Sequence, residues 1–320
     1  MRKVLEAGVL AAAMAIPASA QAMQDPLVQA NAALQSGEAD LAIALLVSLT
    51  PSAESHNLAC RVQLTLERWD AAVSECERAV SQDGQNSDYH LWLGRALGEK
   101  ADRASFMSAY SLAKRVRAEF ETAVRLNPRN AGALADLGEF YDTAPGIVGG
   151  GDNKAQGVAS QLDNVEPARA HELRGRIAEG HKDYATAERE FREAITVSEH
   201  PAFQWMTLAN FYRRRGRWTD LDAAMQSGVK AAQRDRHAGV ALYDGASLLI
   251  TAKRNPELAA RMLESYLAGS LKSEEAPAFV AHTRLAQLKA QLGDVPGARR
   301  EQAAALQLAH DYRPAQDLKF

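Results

Sequence analysis

A repeat constrains this chain more than any other feature of it: a helix-turn-helix pattern recurs about every 34 residues along its length. In the clearest copy Trp205, Leu208, Ala209 and Tyr212 share one face of a first helix, Gly216 ends it, and Leu221, Met225 and Gly228 line the facing side of a second. Small residues fall where two helix axes come closest, and large ones plug the gap to the next hairpin. The template returns at Leu134, Leu137, Gly138 and Tyr141 with Ala155 and Pro167, and at Gly175 with Ala187, Phe191 and Ala194. It returns again at Leu285, Gly293 and Ala298 to Ala305, and earlier at Gly37-Ala42-Leu46, Ala72-Cys76-Ala79 and Leu93-Gly94 with Phe120-Ala123-Pro128. Eight units result, the first and seventh the faintest, with Tyr243 to Tyr266 the loosest match. An ordinary helical bundle also places leucine and alanine at helical spacing, but it would not keep the period.

On these residues the chain resembles the tetratricopeptide repeat (TPR) family over residues 23–320. The resemblance implies an all-α, right-handed superhelical solenoid of TPR-type helix-turn-helix repeats, stabilised by contacts between neighbouring units. The first helix of each unit would line a concave groove and the second would face outward. Carried over position by position, the inward row reads Arg61, Arg95, Glu139, Arg176, Asn210, Leu248 and Gln287, flanked by Trp92, Asp136 and Arg213. The candidate partner-binding residues are therefore Arg61, Trp92, Arg95, Asp136, Glu139, Arg176, Asn210 and Arg213. A tryptophan beside arginines is the composition of binding hot spots; the competing reading is that each charge is simply solvated. The family's clamp for carboxylate tails needs Lys and Asn at paired positions, and Met206 accompanies Asn210 here, which puts that mode in doubt.

Two insertions break the period, near residues 98–112 and 142–153. The third unit is about ten residues too long, and the surplus around Phe106, Met107, Tyr110 and Leu112 is apolar for a loop. It either packs over the groove or extends the first helix. The fourth unit carries Ala144-Pro145-Gly146-Ile147-Val148-Gly149-Gly150-Gly151 between its helices. Such a glycine run marks left-handed backbone or close approach of another chain. Pro145, Gly146, Gly149, Gly150 and Gly151 are candidates for a loop contact or an anion cradle, against the plainer reading of a flexible connection. Lys154 comes too late, without a following hydroxyl, for a phosphate loop. The loop also resembles the Pro-Gly-x-x-Gly-Gly-Gly segment of a group of exported bacterial TPR proteins, a likeness that implies no particular activity.

Arg2 and Lys3, the apolar stretch from Ala7 to Ile16 and the Ala18-Ser19-Ala20 exit form a signal-peptide pattern, so residues 1–22 are expected to be a cleaved leader. A periplasmic or secreted protein follows. No later apolar run is long enough to span a bilayer, and a net charge of -3 gives no general pull toward nucleic acid or anionic lipid. Cys60 and Cys76 stand eight residues either side of position 68, the centre of the second hairpin's turn, which makes them neighbours. In an oxidising compartment they form a disulfide if their α-carbons approach within about 7 Å; otherwise they are two small packing residues.

Signals of chemistry are weak. The eight histidines show no i,i+4 pair and no zinc spacing, so neither a metal nor another cofactor is expected. Ser111-Leu112-Ala113-Lys114 matches Ser-x-x-Lys, but the companion motifs of those enzymes are missing. The expectation is a non-enzymatic scaffold that binds a peptide or an envelope protein in its groove. The alternatives are an accessory subunit of an envelope enzyme complex and a self-assembling structural protein.

Overall fold

The computed structural model describes residues 25–320, so the expected leader lies outside the described residues. Sixteen of the seventeen helices among them pair into eight hairpins. In chain order these are α1 (Pro26–Ser36) with α2 (Ala39–Val47), α3 (Ala53–Thr65) with α4 (Trp69–Gln82), α5 (Ser87–Ala101) with α6 (Phe106–Leu126), and α7 (Ala131–Thr143) with α8 (Asp152–Leu162). Then come α9 (Pro167–Gly180) with α10 (Tyr184–Val197), α11 (Pro201–Arg214) with α12 (Trp218–Arg234), α13 (Gly239–Ala252) with α14 (Pro256–Ala268), and α15 (Ala278–Gln291) with α16 (Val295–Leu308). A short α17 (Arg313–Gln316) follows. Each helix packs on its partner and on the next hairpin, which makes a helical repeat solenoid.

The reason these segments turn back on themselves is visible in six of the eight hairpins. Gly37, Glu67, Lys182, Gly216, Lys253 and Gly293 all take positive φ at the end of a first helix. The next residue's N–H then reaches five positions back: Glu38 to Ala33, Arg68 to Gln63, Asp183 to Ala178, Arg217 to Tyr212, Arg254 to Leu249 and Asp294 to Lys289. This left-handed cap satisfies carbonyls that a helix end leaves orphaned. Glycine enters that region freely, whereas a side chain costs about 1 kcal/mol there. Lys182 is exposed, so Lys182→Gly is expected to raise unfolding stability by about 0.5–1 kcal/mol, less than the full strain because glycine also loosens the unfolded chain. A urea midpoint that fails to rise would contradict the assignment of strain.

Across each hairpin the axes approach where a side chain is missing. A β-carbon on Gly175 would stand 2.8 Å from the Phe191 ring, so α9 and α10 are spaced for that ring and for nothing larger. Phe191 is wholly buried and packs 5.4 Å from Phe211 of the next hairpin, which ties the two units together.

A second regularity was not read from the sequence. His56, His171 and His282 each sit near the start of a first helix and bond, at 2.7–2.8 Å, a glutamate nineteen residues on: Glu75, Glu190 and Glu301. His90 bonds Glu119 in the same way at 2.6 Å, twenty-nine residues on. The insertion of the third unit is therefore ten residues, and it lies between these two positions. A small part of it extends α5, which runs further past His90 than α3 runs past His56. Most of it lengthens the second helix, α6, to 21 residues, and Phe106 and Met107 stand exposed on its added first turn (85% and 75%).

The two ends of the solenoid meet. One buried cluster gathers Ala30, Leu34, Ala42, Leu58, Val62 and Leu66 from the first two hairpins with Phe279, Ala305 and Tyr312 from the last. Tyr312 packs edge-on against Phe279, ring centroids 4.9 Å apart, and its hydroxyl donates to Glu67 Oε1 at 2.9 Å. Asp40 accepts from the His310 backbone N–H at 2.8 Å and contacts its Nδ1 at 2.9 Å, and Arg68 pairs with Asp311. A β-carbon on Gly37 would lie 2.4 Å from the Ala278 backbone nitrogen, so the first hairpin's turn is pressed against the start of α15. The eight hairpins thus close into a ring, and the concave face expected to be an open groove is a lumen.

Candidate functional site

The first helices carry the inward row, and the ring turns that row into a chain of contacts. Arg61 on α3 donates through Nε to Glu274 Oε2 at 2.9 Å, and Gln35 Nε2 donates to the same carboxylate at 2.8 Å. Glu274 lies on the 269–277 connection, so that connection crosses the seam to reach the first two hairpins. Trp92 on α5 is held between two guanidinium groups, Arg61 at 5.2 Å and Arg95 at 4.6 Å from the ring centroid. Arg95 Nε reaches Asp136 Oδ2 on α7 at 2.6 Å, and Glu139 Oε1 on α7 reaches Arg176 Nη1 on α9 at 2.9 Å. On α11, Arg213 Nε donates to Asn210 Oδ1 at 2.9 Å. All eight candidate partner-binding residues are therefore joined to neighbours, mostly across successive hairpins. Arg61, Arg95 and Arg176 already hold carboxylates. Arg213 has none within ion-pair distance among the described residues.

Between α9, α11 and α13 the lumen widens into a cavity of about 1100 Å³. Its wall includes Glu172, Arg176, Asn210, Arg213, Asp244 and Glu275. Glu172 accepts from Thr207 Oγ1 at 3.2 Å; enclosure pushes its carboxyl up from the usual range, and the nearby Arg176 and Arg169 pull it back in part. Asp244 is open to the cavity yet surrounded by the ring wall. Loss of bulk water raises its pKa to about 6, Glu275 adds repulsion, and Arg284 offsets only part of this. Met206, the residue that stands against a carboxylate clamp, is 4% exposed, and its methyl lies where a β-carbon on Gly228 would be 2.7 Å away. Leu248 also lines this cavity, while Gln287 lies farther along α15, exposed.

The glycine-rich loop is ordered by its own backbone. The N–H groups of Gly149, Gly150 and Gly151 donate to the carbonyls of Gly146, Pro145 and Tyr141. Arg117 donates to the Val148 carbonyl at 3.2 Å and Lys154 to that of Gly149 at 2.7 Å. Those three amides are spent internally and both cations donate to carbonyls, so the triple glycine itself offers an anion no amide donor. Gly150 has no room for a side chain, because a β-carbon would stand 1.8 Å from the Ala144 carbonyl oxygen. The loop is instead a fixed projection, with Val148 buried beneath it and Ile147 exposed at its tip (74%).

Cys60 and Cys76 are joined by a disulfide, their α-carbons 5.2 Å apart, and both are fully buried. Ser111 and Lys114 lie exposed on α6, with the ammonium of Lys114 over the Tyr110 ring at 4.7 Å. Asp40, His310 and Asp311 bring their donor atoms within 4.8 Å of one another at the seam, each already engaged, Asp311 with Arg68. Among the described residues no helix is long and apolar enough to cross a membrane.

Three residues of the inner face escaped the sequence reading. Glu274 and Glu275 sit in a connection outside any repeat position. Asp244 on α13 occupies a first-helix position one turn before Leu248, so the repeat register held a signal for it. No family model matches the sequence, and no curated protein matches it. Among solved structures the chain is similar to a thermophilic TPR protein from Thermus thermophilus, with 21% identity over 62% of this chain and all of that one, at a TM-score of 0.46. It is also similar to the Cut9–Hcn1 hetero-tetramer of the APC/C, with 14% identity over 92% of this chain and 56% of that one, at a TM-score of 0.44. Its solenoid character is carried by the eight hairpins of the chain itself.

Proposed function

We propose that this protein is a non-catalytic interaction scaffold of the periplasm or extracellular space, binding an extended segment of a partner protein in the lumen of its ring. The observation that carries the reading is the inner row. Side chains on α3, α5, α7, α9 and α11 are held in place by contacts between hairpins and lead into a cavity of about 1100 Å³. Preorganised polar side chains around an aromatic anchor lose little entropy on binding. Mixed charge suits a polypeptide better than a uniformly charged polymer. Export is supported by the leader pattern at the N-terminus and by the Cys60–Cys76 bond, which an oxidising compartment preserves. The ordered glycine loop, with Ile147 at its tip, offers a second contact outside the lumen.

The test is capture from periplasmic extract with the wild type, Arg213→Glu and Lys230→Glu. Arg213 faces the cavity without a carboxylate partner, and Lys230 is exposed on the second helix of the same hairpin. A stoichiometric partner should be retained by the wild type and by Lys230→Glu, and weakened about tenfold or more by Arg213→Glu. Loss only with Lys230→Glu, or turnover of a substrate by the pure protein, would contradict the reading.

A further inference from the structure

Most charged groups of the inner face are spent on neighbours, and those that are not lie unevenly. Asp244 on α13 and Glu275 on the 269–277 connection line the same cavity, and neither carboxylate has a hydrogen bond or ion pair to any side chain among the described residues. They are close enough for Glu275 to disfavour ionisation of Asp244. Two like charges facing one cavity without a partner are costly to keep ionised together. Both are open to the solvent of the cavity, so a ligand there can reach them. The neighbouring cations Arg284 and Arg169 attract them without bonding them. Arg284 on α15 is engaged with the Tyr243 ring, 4.6 Å from its centroid, and with the Ser247 hydroxyl. Arg169 on α9 holds Glu166 at 2.9 Å. Gln204, in the wall of the same cavity and 7% exposed, has a side-chain oxygen with no partner, so the wall carries a further unused acceptor.

We propose that the Asp244–Glu275 end of the cavity is a pocket for a cationic side chain, an arginine guanidinium or a lysine ammonium, carried by the polypeptide segment that threads the lumen. The inference rests on the reading of the lumen as a polypeptide site and names the residue type that fixes the segment's register. A cation placed between the two carboxylates relieves their repulsion and gives each a charged partner. Arg213 and Asn210 lie toward the other end of α11 and leave that end positive. The segment is therefore held in one direction, basic residue toward the 269–277 connection. Cation binding requires Asp244 to be ionised, so affinity falls as the pH drops below about 6. Glu275 on the connection, Arg284 on α15, Tyr243 on its own helix and Tyr266 on α14 are the titratable or charged groups facing Asp244.

The experiment is selection from a random twelve-residue phage-displayed peptide library on the full exported chain and on Asp244→Asn and Glu275→Gln. Neither side chain bonds another group and each variant removes a carboxylate that is costly to keep charged, so both should fold and melt no lower than the wild type. The wild type should return peptides with Lys or Arg enriched several-fold at one position. A selected peptide should bind each variant about tenfold more weakly, and its affinity for the wild type should fall between pH 7.5 and pH 5 while that for Asp244→Asn stays flat. Peptides selected without basic enrichment would overturn this pocket and leave the scaffold reading standing. A library that yields no binder at all would overturn both.

Discussion

Tyr312→Ala should open the ring. Tyr312 is 3% exposed, its ring caps Phe279, and its hydroxyl donates to Glu67 on the turn of the second hairpin. Removing an aromatic side chain from such a site costs about 3–5 kcal/mol. In a linear array of repeats that cost would fall on one unit and its neighbours. Here it falls on a contact between units at opposite ends of the sequence, which can part while each hairpin stays folded. Small-angle scattering should therefore show a larger maximum dimension below the unfolding transition, and hydrogen exchange should quicken in α1, α2, α15 and α16. Phe191→Ala provides the contrast. It removes a wholly buried ring from the middle of the array, with a similar loss of stability and no change in dimension before unfolding. If Tyr312→Ala lowers stability but leaves both dimension and exchange as in the wild type, the ends do not hold each other.

Reduction of the Cys60–Cys76 bond should be the next largest effect. The bond closes a loop of sequence separation 16 between α3 and α4, and a cross-link of that span stabilises by about 3 kcal/mol in the chain-entropy account. The reduced thiols remain small apolar residues among Ala72, Val73 and Leu91, so the fold is kept and the loss is that of the tether. The affected hairpin is also one side of the seam, since Arg61, Glu67 and Arg68 all reach the C-terminal part of the chain. Reductant should therefore lower the urea midpoint and also quicken exchange in α15 and α16, far from the sulfurs in sequence. Two cysteines that alkylate in the unfolded, unreduced protein would show that no bond exists.

The period, the hairpin number and the large-small contacts were legible in the sequence because they are local: a 3.6-residue pattern and a repeated turn each state themselves within one unit. Even the faint first and seventh units formed, and their turn conformation is the one seen elsewhere, with Lys253 taking the place that glycine holds at 216. Non-glycine residues in that conformation hide the turn, since nothing in Lys182 or Glu67 announces positive φ. The histidine–glutamate pairs were hidden for another reason. Eight histidines look scattered until four of them are placed in register, when each meets a glutamate across its hairpin. Ring closure was not legible at all. It depends on Gly37 meeting Ala278 and on Asp40 meeting His310, contacts separated by almost the whole chain and set by the small tilt that each hairpin adds to the last. The inner row lies on the first helices, but which of its charges are spent follows from contacts between hairpins, those of Arg95 and Arg176 with the next unit and that of Arg61 across the seam.

The account turns on the lumen being the binding face. A photo-crosslinking residue at position 251, on α13 at the cavity, compared with the same residue at position 230 on the outer helix α12, tests this in periplasmic extract. Adducts to one partner from position 251 and none from position 230 are the predicted result. Adducts from position 230 alone would contradict it.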